Sequence, residues 1–504
     1  MSGPVAGGIL LMKILILGAG RVGESVAESL LSEKNDITVV DTDGALLRDL
    51  EARFDLRGVV GNGISPDVLA EAGASDTDML IACTSQDATN LVACKVAQVL
   101  FNIPIRIVRV RAVAVKSHEE LLADTGFGVT HAFCPEEALM AYIGKLVTYP
   151  EALQVRDFSQ GHVALAAVRA RGGAPLVGLS VADVRQYLPH GAVRVVGMYR
   201  RFHHEADRLV SVEGNTRIEP GDEVFVLSDQ AILGDVLAAF NRQVGEQPQP
   251  VRRIMIAGGG RVGMRLARAL TRESRRFQIK IIEKDEGRCV YLASRLSSDV
   301  LVLRGDATDE NLMENENVED VDLFIAITDD DENNIMSCLL AKKLGATRVL
   351  ALINRRTYAD LMHGTQIDIA LSPAQATLGE LLAYVRQGDV QAVHSLRRGV
   401  AEAIELVARG DAKTSRVVGR RVANIRLPRD VHVGMIVRGL PQPDARGSNG
   451  SGADDAEVQG APVEVIVPTS GTVVQSNDHV ILFLPNKRLV HDVEALFRVG
   501  VTFF

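Results

Sequence analysis

No run of about 18 uncharged apolar residues, the length a helix needs to cross a bilayer, occurs in this 504-residue chain. The most apolar segment, Val5 to Gly20, is broken by Lys13 and has no basic leading region, so it reads as a strand with an extension and not as a signal peptide. Met12-Lys13 is expected to be an alternative start, with residues 1–11 a tail of no evident function. Cysteine is scarce: Cys83, Cys94, Cys134, Cys289 and Cys338 are odd in number, scattered, and form no C-x-x-C pair. That pattern fits a reducing cytoplasm and speaks against a zinc site or a disulfide framework. Positive charge is not in excess either; the formal net charge of -9 argues against a dedicated nucleic-acid binder. Signatures of catalysis are also missing. There is no G-x-S-x-G, no Walker loop, and His203-His204, followed by Glu205-Ala206-Asp207, does not make H-E-x-x-H. What is present is a globular composition, 47% apolar and 24% charged, at a length that accommodates about three to five domains.

The chain is organised around Lys13 to Leu30, KILILGAGRVGESVAESL. Ile14 to Leu17 is an apolar run typical of a strand covered on both faces. Gly18, Gly20 and Gly23 follow in G-x-G-x-x-G spacing: the first permits a tight turn, the second lets backbone approach a pyrophosphate, and the third lets a helix lie close to its strand. That helix would face phosphates with unpaired N–H groups. A second apolar strand ends at Asp41, 23 residues after Gly18. A carboxylate there accepts ribose hydroxyls and repels a 2′-phosphate, favouring NAD or an unmodified adenine nucleotide over NADP.

The same pattern returns 240 residues later as Arg253-Ile-Met-Ile-Ala-Gly-Gly-Gly-Arg-Val-Gly, with Gly258, Gly260 and Gly263, and with Glu283 as the acid. At an offset of 244, Asp78, Asp87, Asn90 and Cys94 match Asp322, Asp331, Asn334 and Cys338. A second kind of unit follows each copy: Val177-Gly-Leu-Ser-Val-Ala-Asp-Val184 matches Val418-Gly-Arg-Arg-Val-Ala-Asn-Ile425, and a later strand at Glu223–Leu227 matches His479–Phe483. The expected fold is therefore α/β, two tandem Rossmann-like domains with parallel sheets, each followed by a small α+β module with one brief helix. The expected domains are 12–135, 150–235, 252–375 and 390–498. Gln247-Pro248-Gln249-Pro250 is a short connector, and 440–462 a disordered insertion without chemistry of its own.

In an open parallel sheet the ligand lies at the carboxyl ends of the strands, which draws attention to Gly61-Asn62-Gly63, Thr84 and Arg109. Thr84, Asp87 and Asn90 either cap a helix or touch a ligand. Arg109, like Arg21, either offsets phosphate charge or sits in a local ion pair. Arg261, Arg265, Arg268 and Arg272 fall on one helix face in the second copy only, as a solvated stripe or as a docking surface for an acidic partner. An NAD-dependent oxidoreductase remains the alternative function. It needs an acid or base beside the nicotinamide, and the small modules are poor in such groups.

With KILILGAGRVG and ITVVD in the first half, and RIMIAGGGRVG, IIEKD, RGDATDE and RVLALINRR in the second, the chain resembles the peripheral regulatory subunits of bacterial Trk-type potassium uptake systems. Those are built of RCK (KTN) domains in this same alternating order. The resemblance implies a non-enzymatic protein, peripheral on the cytoplasmic face of the cell membrane, that binds NAD(H), ATP or ADP. It would assemble as a homo-oligomeric ring of two or four chains on a membrane potassium translocating subunit of TrkH or TrkG type, and gate flux through it. Carried over position by position, the nucleotide contacts are Gly18, Ala19, Gly20, Arg21, Val22, Gly23, Asp41, Asn62, Thr84 and Arg109 in the first copy. In the second they are Gly258, Gly260, Arg261, Val262, Gly263, Glu283, Asp306 and Thr328. The copies depart from one another at Gly61-Asn62-Gly63, where the second has Gly305-Asp306-Ala307, and at Arg109, whose place is expected to fall on Ala351.

Overall fold

The computed structural model describes residues 12–31, 35–188, 191–202, 207–273, 277–355, 358, 366–386, 389–396, 400–441 and 462–499. The tail 1–11, His203-His204 and the insertion from 442 to 461 lie outside the described residues.

The first Rossmann copy has six strands, β1 (Lys13–Leu17), β2 (Asp36–Asp41), β3 (Arg57–Val60), β4 (Met79–Ala82), β5 (Ile105–Arg109) and β6 (His131–Phe133). Every residue of β1 after Lys13 is buried, as a strand covered by helices on both faces requires. The strands pair in parallel in the order β3-β2-β1-β4-β5-β6. That order reverses between β1 and β4, and so opens a crevice at their carboxyl ends. The chain leaves β1 into helix Arg21–Leu31, β2 into helix Gly44–Arg53 and β4 into helix Asp87–Phe101.

The first small module contributes β7 (Ala152–Phe158), β8 (Val163–Arg169), β9 (Val193–Arg200), β10 (Arg208–Val210) and β11 (Glu223–Asp229). The second Rossmann copy contributes β12 (Arg253–Ala257), β13 (Gln278–Glu283), β14 (Val300–Arg304), β15 (Leu323–Ala326), β16 (Arg348–Leu352) and β17 (Ile369–Leu371). They are ordered β14-β13-β12-β15-β16-β17, the arrangement of the first copy. The second module adds β18 (Val390–Leu396), β19 (Ala401–Val407), β20 (His432–Arg438), β21 (Glu464–Ile466) and β22 (His479–Leu484). Its sheet β18-β19-β22-β20-β21 repeats the first module's β7-β8-β11-β9-β10. Where one brief helix per module is expected, the first module has two, Val181–Tyr187 and Leu233–Asn241. The counterpart of the former is only a 3₁₀ turn, Val422–Asn424.

The A-B-A-B order of the chain becomes like-with-like in space: one compact unit holds both Rossmann copies (1–141 with 252–385), another both small modules (142–251 with 386–504). In the first unit, helix Pro373–Val385 of the second copy packs on helix Arg21–Leu31 of the first. The Tyr384 hydroxyl there bonds His131 Nδ1 at 2.9 Å. In the second unit the two sheets share a core containing Phe158, Phe225, Leu227, Leu396, Met435 and Phe483. Close approach is reciprocal. A Cβ on Gly197 would lie 2.7 Å from the Phe483 ring, and one on Gly434 would overlap Leu227. The five cysteines are free; all but Cys289 are buried, and burial pushes the Cys94 thiol up to about 12.

Candidate nucleotide-binding site

The three glycines of each fingerprint do different work. Gly18 has φ +106°, and a Cβ on it would stand 3.1 Å from the Thr84 backbone. A Cβ on Gly23 would overlap the Gly18 carbonyl, so helix Arg21–Leu31 lies close against the turn. Gly20 is otherwise: nothing among the described residues lies within 4 Å of where its Cβ would be. The second copy repeats all three conditions, with Gly258 at φ +109°, Gly263 against the Gly258 carbonyl, and Gly260 facing open space. Two glycines per loop are thus demanded by packing, and the third leaves bare backbone at the start of a helix, where an anion is favoured.

Asp41 holds the loop from the other side. Its Oδ2 accepts from Ala19 N at 2.6 Å and its Oδ1 from Asp43 N at 2.9 Å. Glu283 does the same for Gly259 N and Asp285 N, both at 2.9 Å. Each carboxylate oxygen has a second lone pair left, enough for one ribose hydroxyl apiece. Asn62 and Asp306 close matching turns at the end of the third strand. Asn62 Oδ1 accepts from Ile64 N at 3.2 Å, and Asp306 Oδ1 from Thr308 N at 2.9 Å and Thr308 Oγ1 at 2.8 Å. Those bonds from Thr308 hold the Asp306 carboxyl below the usual range. The Asn-for-Asp departure therefore leaves the turn intact. Val22 is buried, and its counterpart Val262 is half-buried.

Thr84, Asp87 and Asn90 do not cap the helix they begin. Buried Asn90 accepts from Thr84 N at 2.9 Å and from Thr84 Oγ1 at 2.7 Å, and donates to Arg109 O at 3.0 Å. Asp87 accepts from Arg111 N and Ala112 N at 2.9 to 3.0 Å. The three residues staple the end of β4 to the end of β5. In the second copy Asn334 bonds Thr328 in the same way and donates to Leu352 O at 2.9 Å. The place of Arg109 therefore falls on Leu352; Ala351 is the counterpart of Val108, because β4 pairs Met79 with Ile105 and β15 pairs Leu323 with Arg348. The stretch from the fourth strand to the fifth is one residue shorter in the second copy, so the offset between equivalent residues falls from 244 at β4 and β15 to 243 at β5 and β16.

Arg109 is both ion-paired and available. It lies 3.1 Å from Glu136 through Nη2, is only 9% exposed, and its Nε has no acceptor among the described residues. Arg111, two residues on, has a buried Nε 3.8 Å from Glu136 Oε1 and with no hydrogen-bond acceptor among the described residues. Burial lowers the Arg111 guanidinium's affinity for its proton, and the charges of Arg109 and Arg261 act in the same direction. Arg261 and Arg265 come from the second copy. With Ser85, Asp87, Arg111 and Ala112 they line a cleft of about 370 Å³ between the two Rossmann copies. Arg265 Nη2 donates to Arg111 O at 3.0 Å, while Arg268 turns away to Arg295 O at 3.1 Å. The expected arginine face is thus divided: its first two members, exposed Arg261 and half-buried Arg265, line the cleft, and Arg272 is exposed away from it. Arg21, the counterpart of Arg261, is exposed as well. Arg111, Ser85 and Glu136 were not legible as site residues; the alternation Arg109-x-Arg111 at a strand end was the available signal. Among the described residues no group of three His, Cys, Asp or Glu side chains is placed to hold a metal, and no helix is long and apolar enough to cross a membrane.

The TrkA-N domain family model matches residues 14–135 and 254–373, and the TrkA-C domain model matches 165–241. The Trk system potassium uptake protein TrkA of Halomonas elongata is 45% identical, over 98% of this chain and 100% of its own length. The chain belongs to the TrkA family. The Vibrio alginolyticus member, of the same name, is 44% identical over 97% of this chain and 99% of its own. Among solved structures, the GsuK RCK domain is similar with a TM-score of 0.56 at 19% identity, covering 97% of this chain and 95% of that one. The GsuK channel bound to NAD gives 0.56 at 19% identity over 97% and 79%. At that identity the likeness is one of fold: two Rossmann-like domains with parallel sheets and their small companions. The second small module shares the strand order of the first.

Proposed function

We propose that the chain is the nucleotide-binding regulatory subunit of a Trk-type potassium uptake system, peripheral on the cytoplasmic face of the membrane. It gates a TrkH- or TrkG-type potassium translocating subunit without turning over its ligand. The name and the near-complete, 45% identical coverage of the TrkA relatives support the potassium role. The observation that carries the nucleotide role is the contrast within each fingerprint, Gly18 and Gly23 closed by packing and Gly20 bare to space. NAD(H), ATP and ADP share the adenosine diphosphate that such a cradle fits. In this reading Gly20 and the first amides of helix Arg21–Leu31 take the pyrophosphate, and Asp41 orients the ribose. Asn62 and Thr84 rim the crevice. Arg109, Arg111 and Arg261 meet whatever follows the pyrophosphate.

That last contact is where the ligands differ. A triphosphate brings more negative charge to Arg111, Arg261 and Arg265 than a nicotinamide riboside does. Because the cleft is built from both Rossmann copies, ATP and NADH favour different spacings of its walls. Differential affinity for two arrangements is the free energy available for gating. A ring of two or four chains on the membrane partner passes the change on.

The test is rubidium flux into vesicles carrying the membrane subunit, with this protein added and ATP, ADP, NADH or NAD supplied in turn. A nucleotide-dependent flux with the nucleotide recovered intact is expected. NADH consumption with flux unaltered would instead return the oxidoreductase reading.

A further inference from the structure

Arg288 occupies, in the second copy, ground that the first copy leaves open. Asp43 and Asp285 are matching N-caps of the helices that follow the two acids, Gly44–Arg53 and Glu286–Arg295. Three residues on, the first copy has Leu46, 43% exposed. In the second copy the same position is Arg288, and its side chain turns back over the glycine loop to donate from Nε to Gly259 O at 2.7 Å. Gly259 is the residue whose N–H Glu283 holds. The guanidinium carbon lies 4.9 Å from the centre of the Tyr291 ring, and Nη2 is shut from solvent with no hydrogen-bond acceptor among the described residues. At that distance the guanidinium charge is attracted to the ring face. The loop is drawn down as well: a Cβ on Gly259 would overlap Leu292, whereas Ala19 keeps its methyl group, buried, in the first copy.

We propose that Arg288 seals the adenosine end of the second crevice, so that the two copies are not equal sites and the first alone takes adenine nucleotides with ordinary affinity. This rests on the nucleotide reading above. Ribose hydroxyls must reach the acid at the end of the second strand. Beside Glu283 a guanidinium already bridges the loop and the Tyr291 ring. Entry there means breaking a charged hydrogen bond and a cation–π contact, which lowers affinity roughly tenfold or more. The phosphate end of the second loop, with Gly260 bare, is unaltered; the seal acts on the adenosine end.

Calorimetric titration of the full-length protein with ATP, and separately with NADH, counts the sites. The wild type is expected to bind one nucleotide per chain in its tight class. Arg288→Leu, which gives the second copy the residue of the first, gains a second site within about tenfold of the first in affinity. Leu46→Arg, which seals the first copy, loses the tight site, and it carries the test even where Arg288→Leu folds poorly. Two equal sites in the wild type, a single site in folded Arg288→Leu, or an unaltered tight site in Leu46→Arg would each overturn the proposal. Absence of binding to the wild type is a different result: it removes the nucleotide reading itself, and this proposal with it.

Discussion

At the scale of single residues, one fingerprint contains two kinds of glycine, and they separate under substitution. Gly20→Ala adds a methyl group into space that is empty for 4 Å, so folding is expected to be nearly unaffected, within about 0.5 kcal/mol. The methyl group takes the room a pyrophosphate needs, and nucleotide affinity is expected to drop by about tenfold or more. Gly23→Ala puts its methyl group into the Gly18 carbonyl and pushes the helix off its strand, a cost of about 3 kcal/mol or more. Urea unfolding and a nucleotide titration on the two variants check both halves. A Gly20→Ala protein as unstable as Gly23→Ala would show that the open face is not open. The roles of Gly18 and Gly23 were legible in the sequence because turn and helix-packing demands are local. What Arg109, Arg111 and Arg288 touch was not, because their partners come from another strand end, another copy, or the backbone of a loop.

At the scale of elements, the strands were readable because parallel strands buried on both faces are short apolar runs, and β1, β4, β12 and β15 all have that form. The staple between β4 and β5 was not. The Thr84–Asn90 segment looks like a helix cap, but its polar groups bond to strand ends that only the folded sheet brings near. Between the modules a similar long-range tie is pH-sensitive. His394 on β18 donates from Nε2 to Asp157 O on β7 at 2.9 Å, and burial, aided by the charge of Arg156, pushes its pKa down from 6.5 to about 3. The folded state holds this imidazole neutral while the unfolded chain protonates it below 6.5, so the unfolded state binds the extra proton. The stability contribution is complete above pH 7 and is lost as the pH falls from 6.5 toward 3, at a slope approaching about 1.4 kcal/mol per pH unit. His394→Gln keeps a donor for Asp157 and removes the titration. Urea denaturation at pH 7.5 and pH 5 is expected to show a smaller acid loss in the variant; equal losses would place the titrating group elsewhere.

At the scale of the whole molecule, duplication explains why the small modules lie together. In the full chain Phe158, Phe225 and Leu227 of the first half are covered by Leu396, Met435 and Phe483 of the second. A chain ending at residue 251 would bare that face, and bare apolar surface of this kind seeks a cover. A second copy can supply it, because both modules have the same strand order and Gly197, which here receives the Phe483 ring, could receive the smaller Leu227 of a twin. The fit is imperfect: Val196 takes the place of Gly434, where a Cβ would overlap Leu227. Glu405 accepts from Ser159 N at 2.8 Å and from Ser159 Oγ at 3.0 Å, and its place in the first module is taken by Ala167. Each Ser159 N–H would lose its carboxylate, at about 1 to 3 kcal/mol per site. The half-chain is therefore expected to form a homodimer by light scattering at tens of micromolar and to dissociate on dilution, whereas the full chain keeps its modules together at any concentration. A half-chain monomeric throughout would mean that the shared core is not what joins the modules. The unlike pairing of Ser159 with Glu405 selects the two halves for each other over their own copies, and only a chain held as unlike halves can keep one open crevice beside one sealed by Arg288.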